Sequence, residues 1–141
     1  MKHPILITMR PLPLILFDGA VQCGFPSPAA DHAQRRIDLN EHLLLNRDAS
    51  YLFRVRSNSM KGIGIFDGDT IIVDRSIEPR HRHIVLAIVD DEYTVKRLHC
   101  QGPDVRLIAE NEEFPPIIFR EGQELRIWGV VITSIRQLRD C

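Results

Sequence analysis

The chain has 141 residues, 44% of them apolar and 26% charged, which fits one soluble globular domain with a tail. Its formal net charge is -1, so it lacks the basic field that dominates nucleic-acid binding, and direct DNA binding is not expected. Cys23, Cys100 and Cys141 are odd in number and far apart; they make neither a disulfide framework nor a zinc-spaced set, and fit a reducing cytosol.

The N-terminus looks faintly like a secretory leader, with Lys2 ahead of an apolar stretch. Arg10, Pro4, Pro11 and Pro13 interrupt that stretch, Asp18 stands near the supposed cut, and Gln22 is not the small residue such a site wants. No run reaches the ~18 apolar residues of a membrane helix. Five prolines (Pro4, Pro11, Pro13, Pro26 and Pro28) fall in the first thirty residues and disfavour a packed helix or a central strand. Residues 1–40 therefore read as an extended, mobile arm. They are also too short and too proline-rich for a helix-turn-helix domain.

Asp38 with Glu41 three residues later has capping-box spacing, so a short helix through Leu43 to Leu45 is expected. Strands follow at Tyr51–Arg56, Thr70–Val73, Ile84–Val89, Tyr93–Leu98, Val105–Ile108 and Leu125–Ile132. Gly68-Asp69, Asp90-Asp91 and Gln101-Gly102 are the turn signals between them. The fold class is mainly β, a small barrel or sandwich with one short helix. Residues 41–141 form this domain.

Ser59 follows a strand directly, with Gly62 and Gly64 close behind. A serine there can be exposed while backbone N–H groups converge on an oxyanion. Taken alone it reads first as a turn residue. Lys96 lies inside a strand, on one face with Thr94 and Leu98. If that face is covered, burial lowers the amine's pKa and makes it a general base; otherwise it is a surface lysine. Both readings stay open at this point. The six histidines offer nothing better. His81 and His83 alternate with Arg80 and Arg82 and read as a solvated basic loop, with no further ligands at metal spacing. Asp67 and Asp69 flank Gly68 as a turn rather than a calcium loop.

Taken together these residues resemble the LexA/UmuD family of self-cleaving serine peptidases of the bacterial SOS response. The resemblance runs through Val21-Gln22-Cys23-Gly24-Phe25-Pro26 at the cleavage region and Ser57-Asn58-Ser59-Met60 at the nucleophile. It continues through Asp67-Gly68-Asp69, Thr94-Val95-Lys96-Arg97-Leu98 and the closing Trp128-Gly129-Val130-Val131. Cys23 to Ser59 is 36 positions and Ser59 to Lys96 is 37, as in that family. The resemblance covers about residues 18–135. It implies that Ser59 is the nucleophile, Lys96 its base and Cys23–Gly24 the bond cut. It implies a dimeric β domain with a mobile arm, no cofactor, and cleavage assisted by a RecA filament on single-stranded DNA. The shortened form is then expected to serve a UmuC-type, Y-family translesion polymerase. A non-catalytic polymerase-regulating module and, further off, a LexA-like repressor are the competing readings. Two positions depart from the pattern: Arg82-His83 stand where Gly-Asp is usual, and Asn58 replaces the residue typical before the serine.

Overall fold

The computed structural model describes residues 13–17, 21, 23–24, 34–44, 46–119 and 123–139. The chain divides into two units, Met1–Leu45 and Asn46–Cys141.

In the first unit, β1 (Pro13–Phe17) pairs antiparallel with β2 (Gln34–Asp38), in register Pro13↔Asp38 to Phe17↔Gln34. This pairing lies inside the segment read as an arm. A two-stranded ribbon has only edges, so Pro13 at a strand start removes no interior ladder bond. The expected helix is α1 (Leu39–Leu43), which ends at Leu43, short of the expected Leu45. Its cap is the expected one: Asp38 Oδ1 accepts the Asn40 N–H at 3.0 Å. Val21, Cys23 and Gly24 are exposed, Val21 at 89%.

The second unit is one antiparallel sheet. It contains β3 (Ser50–Arg54), β4 (Thr70–Asp74), β5 (Ile84–Val89), β6 (Glu92–Gln101), β7 (Asp104–Ile108), β8 (Ile117–Ile118) and β9 (Arg126–Ile135), in spatial order β3-β4-β9-β5-β6-β7-β8. The last strand inserts between β4 and β5, with register shifts at Ile72/Val73 and Leu86/Ala87 that bend the sheet. Both faces carry apolar clusters. One centres on Val55, Met60, Ile65, Ile71, Val73 and Leu86. The other centres on Val85, Ala87, Leu98, Leu107 and Val130. Sandwiched strands of this kind read as near-continuous apolar runs, as Ile71-Ile72-Val73 and Val85-Leu86-Ala87 do. The reading missed β8, whose two residues follow Pro115-Pro116 and carry too little pattern to register.

Turn chemistry sets the hairpins. Asp90 and Asp91 both take positive φ, 49° and 63°, in the two-residue link between β5 and β6. That is the twist-matched hairpin turn, and short Asp side chains tolerate it. Arg82 has φ 74°, a conformation that favours glycine, and this is a position where the family pattern has one. The backbone around it is committed: Arg82 N–H donates to Leu98 O at 2.8 Å, and Arg82 O accepts from Arg97 Nη1 at 2.7 Å. Arg82→Gly keeps both bonds and relieves the left-handed strain. After glycine's greater unfolded-state entropy is offset, it is expected to stabilise the domain by about 0.5–1 kcal/mol. The check is a Tm a few degrees above wild type.

The loop holding Arg82 is solvated at Arg80 and Arg82, as expected, but its two histidines are engaged. His83 Nδ1 accepts the Arg80 N–H at 3.1 Å, and His81 Nδ1 accepts the Cys100 N–H at 3.0 Å. Both rings are half-buried and tie the loop to itself and to β6. No metal-holding group of His, Cys, Asp or Glu occurs among the described residues.

Candidate active site

Ser59 sits on the long loop between β3 and β4. The base of that loop is closed by Val55 N–H to Asp69 O at 2.8 Å and Gly68 N–H to Val55 O at 2.7 Å. Gly68, at φ 91°, makes the return turn possible. Within the loop, Asn58 acts as a tie. Its Oδ1 accepts the Asp67 N–H at 3.1 Å, while its carbonyl accepts from Lys61 N at 3.2 Å and Asn111 Nδ2 at 2.9 Å. The position that departs from the family pattern is thus structurally used here. Gly62 N–H donates to Glu110 O at 2.8 Å, and a Cβ on Gly62 would come within 2.5 Å of that oxygen. These contacts fix the turn from several sides.

Ser59 is 3% exposed and Lys96 8%. Lys96 projects from β6, opposite Val85 of β5, and its Nζ lies 3.1 Å from Ser59 Oγ. Of the two readings left open, the covered one is realised. Nζ has two further partners, Thr94 Oγ1 at 2.6 Å and Val95 O at 3.1 Å. The cleft around the pair has a volume of about 250 Å³ and apolar walls that include Phe53, Met60, Ile71 and Leu86. Among the described residues its other charged lining residues are Arg54 and Arg56, and none of the lining is a carboxylate that would hold Lys96 charged. Burial accordingly lowers the Lys96 pKa from its usual value.

This arrangement suits a neutral amine. Such an amine has two N–H donors and one lone pair. Thr94 Oγ1 and the Val95 carbonyl accept the two N–H groups, which leaves the lone pair facing the Ser59 hydroxyl. The hydroxyl can then donate its proton to Nζ as its oxygen attacks a carbonyl. One expectation is modified. Ser59 N–H does not point freely at an oxyanion site but donates to Ser57 Oγ at 3.1 Å. It can serve an oxyanion only on release from that hydroxyl. Thr94, which sequence reasoning placed on the lysine face without a role, is the shortest contact of the amine. Thr94→Val keeps the volume and removes that acceptor. It is expected to slow Ser59 chemistry about tenfold, the worth of one aligned hydrogen bond, with the fold intact; the first-order loss of full-length chain measures it.

A model of peptidase S24-like proteins matches residues 14–132, which include Ser59, Lys96 and the Cys23–Gly24 bond. The chain belongs to the peptidase S24-like family. The expectation of a serine peptidase with a Ser/Lys pair stands on this membership. Relatives include the LexA repressor of Ectopseudomonas mendocina, 45% identical over 89% of this chain and 60% of the repressor. Protein SamA of Salmonella typhimurium is 37% identical over 88% of this chain and 86% of its own length. Protein ImpA of the same organism is 36% identical over 89% and 85%. The chain therefore spans about 60% of the length of the LexA repressors it matches and most of the length of SamA and ImpA. Cys23 and Gly24 belong to the first unit and the Ser59–Lys96 pair to the second. No helix among the described residues is long and apolar enough to cross a membrane.

Proposed function

We propose that this S24-family protein cuts its own chain between Cys23 and Gly24, with Ser59 as nucleophile and Lys96 as general base. The observation that carries the reading is the buried 3.1 Å contact between Nζ and Ser59 Oγ, in a cleft lined by no carboxylate among the described residues. Exposure of Val21, Cys23 and Gly24 supports it, since a bond must be accessible to be handed to a nucleophile. Gly24 adds no side-chain bulk beside the bond.

The tether supplies the rest of the logic. A bond on the same chain, or on a partner copy, reaches the site at high effective concentration, so a weakly binding cleft suffices. The same tether makes control necessary. A ligand that favours the docked arrangement raises the rate by shifting that population. In our reading that ligand is a RecA filament on single-stranded DNA in the cytoplasm, the working form is a homodimer, and the shortened chain serves a UmuC-type Y-family polymerase in SOS mutagenesis. The test is incubation of the full chain with RecA, nucleotide and single-stranded DNA, followed by mass spectrometry. New termini at Cys23 and Gly24 are expected; an uncut chain under these conditions and at mildly alkaline pH favours the non-catalytic, polymerase-regulating reading.

A further inference from the structure

We propose that Arg136 and Asp69 form a positioning pair that holds the Ser59 turn in its reactive geometry; this rests on the Ser59–Lys96 reading and deepens it. Asp69 is 3% exposed, and a buried carboxylate is costly unless it is paired. The pairing is bidentate: Arg136 Nε donates to Oδ1 and Nη2 to Oδ2, each at 2.8 Å. The same Nη2 donates to Gly64 O at 2.8 Å, and the guanidinium lies 4.2 Å from the Phe66 ring centroid. Asp69 Oδ2 also accepts the Phe66 N–H at 2.8 Å. One side chain thus grips residues 64, 66 and 69, the returning limb of the loop whose outgoing limb carries Ser59.

The two limbs are tied to each other. Met60 O accepts the N–H groups of Ile63 at 3.2 Å and Ile65 at 3.3 Å, and Asp67 N–H reaches Asn58 Oδ1. Met60 and Ile65 are both buried in one core cluster. A shift of residues 64–69 is therefore passed to residues 58–60, the immediate neighbours of the nucleophile. The ladder brings Arg136 to this place: Thr70 pairs with Ile135 at the end of the β4–β9 contact, so residue 136 falls beside residue 69. Arg136 lies beyond the stretch matched by the family model, which ends at residue 132. The Arg136 guanidinium holds the Asp69 carboxyl below its usual range. The pair consequently stays charged at and above neutral pH.

The experiment labels Ser59 of the full chain with a fluorophosphonate, a probe that needs no arm docking. Rates are read well below each variant's Tm. Arg136→Gln is expected to lose about tenfold, as a small misplacement of a nucleophile does. Arg136→Lys should recover part of the loss, and ethylguanidinium should restore Arg136→Ala. Wild-type labelling in folded Arg136→Gln overturns the pair. A loss that neither lysine nor ethylguanidinium repairs overturns it too, because it assigns the effect to general loosening of the tail. Asp69→Asn gives a second entry to the same geometry and should lose labelling in parallel. Failure of the wild-type chain to label at Ser59 is a different result: it removes the Ser59–Lys96 reading itself.

Discussion

Ser59→Ala and Lys96→Ala are each expected to leave the chain at full length under conditions that cut the wild type completely. The expected loss is at least about a thousandfold in the first-order rate, because a nucleophile and its base act as a unit. The physical reason is the isolation of the pair. Ser59 Oγ has the Lys96 amine at 3.1 Å, and among the described residues no imidazole or carboxylate lines the cleft to replace it. Ser59→Ala removes a hydroxyl and leaves the amine with Thr94 and Val95, so the fold should hold. The double variant should be no slower than either single one. Cutting at Cys23–Gly24 in either purified variant would sink the dyad.

The second large effect is on pH. The rate follows the neutral fraction of Lys96, so it should rise about tenfold per pH unit below the amine's pKa in the folded chain and level off above it. Burial lowers that pKa, which brings the plateau below the value of an exposed lysine. Stability moves with the same proton. Between the folded and unfolded pKa values the unfolded chain binds more protons, so folding stability rises with pH across that window. Below the folded value both states are protonated, and the full cost of burying the charge remains. Lys96→Met, which keeps the stem and removes the charge, is accordingly expected to melt above wild type at neutral pH while being inactive. A flat rate from neutral to mildly alkaline pH, with unchanged near-ultraviolet circular dichroism, would count against a lysine base.

These effects show how cost and function meet at one residue. The domain buries an amine that is hydrogen-bonded but has no carboxylate partner among the described residues, beside apolar residues that include Val55, Met60, Ile71 and Leu86. A satisfied ion pair there would be better for folding and useless for proton transfer. Sites of this kind are kept because the surrounding sheet over-determines them.

Much of the fold was legible in the chain. The runs at 70–73 and 84–89 are rich in β-branched residues, and the observed β4 and β5 fall within one residue of them. Asp90-Asp91, Gly68 and Gly102 marked turns because those turns need positive φ. The order and spacing of Cys23–Gly24, Ser59 and Lys96 pointed to the family, since each motif alone was weak and the set was not. Other elements carried no local signal. The β1–β2 ribbon pairs residues 17 to 25 positions apart, through a segment whose prolines argued against strands. A ladder that both strands share, with no buried face of its own, leaves no period in either one.

The sequence by itself determined a mainly-β domain, where its chain reverses, and which serine and lysine to watch. Tertiary structure alone decided that Lys96 is covered, because a strand lysine becomes buried only when distant parts of the chain, here the Ser59 loop, are brought against it. It decided that Thr94 Oγ1, the Val95 carbonyl and Ser59 Oγ all stand within hydrogen-bond reach of the amine. It also decided that Arg136 reaches Asp69, a contact spanning 67 positions that exists only because β9 inserts beside β4. Local pattern reports which side of a strand a residue faces; only the assembled sheet says what lies on that side.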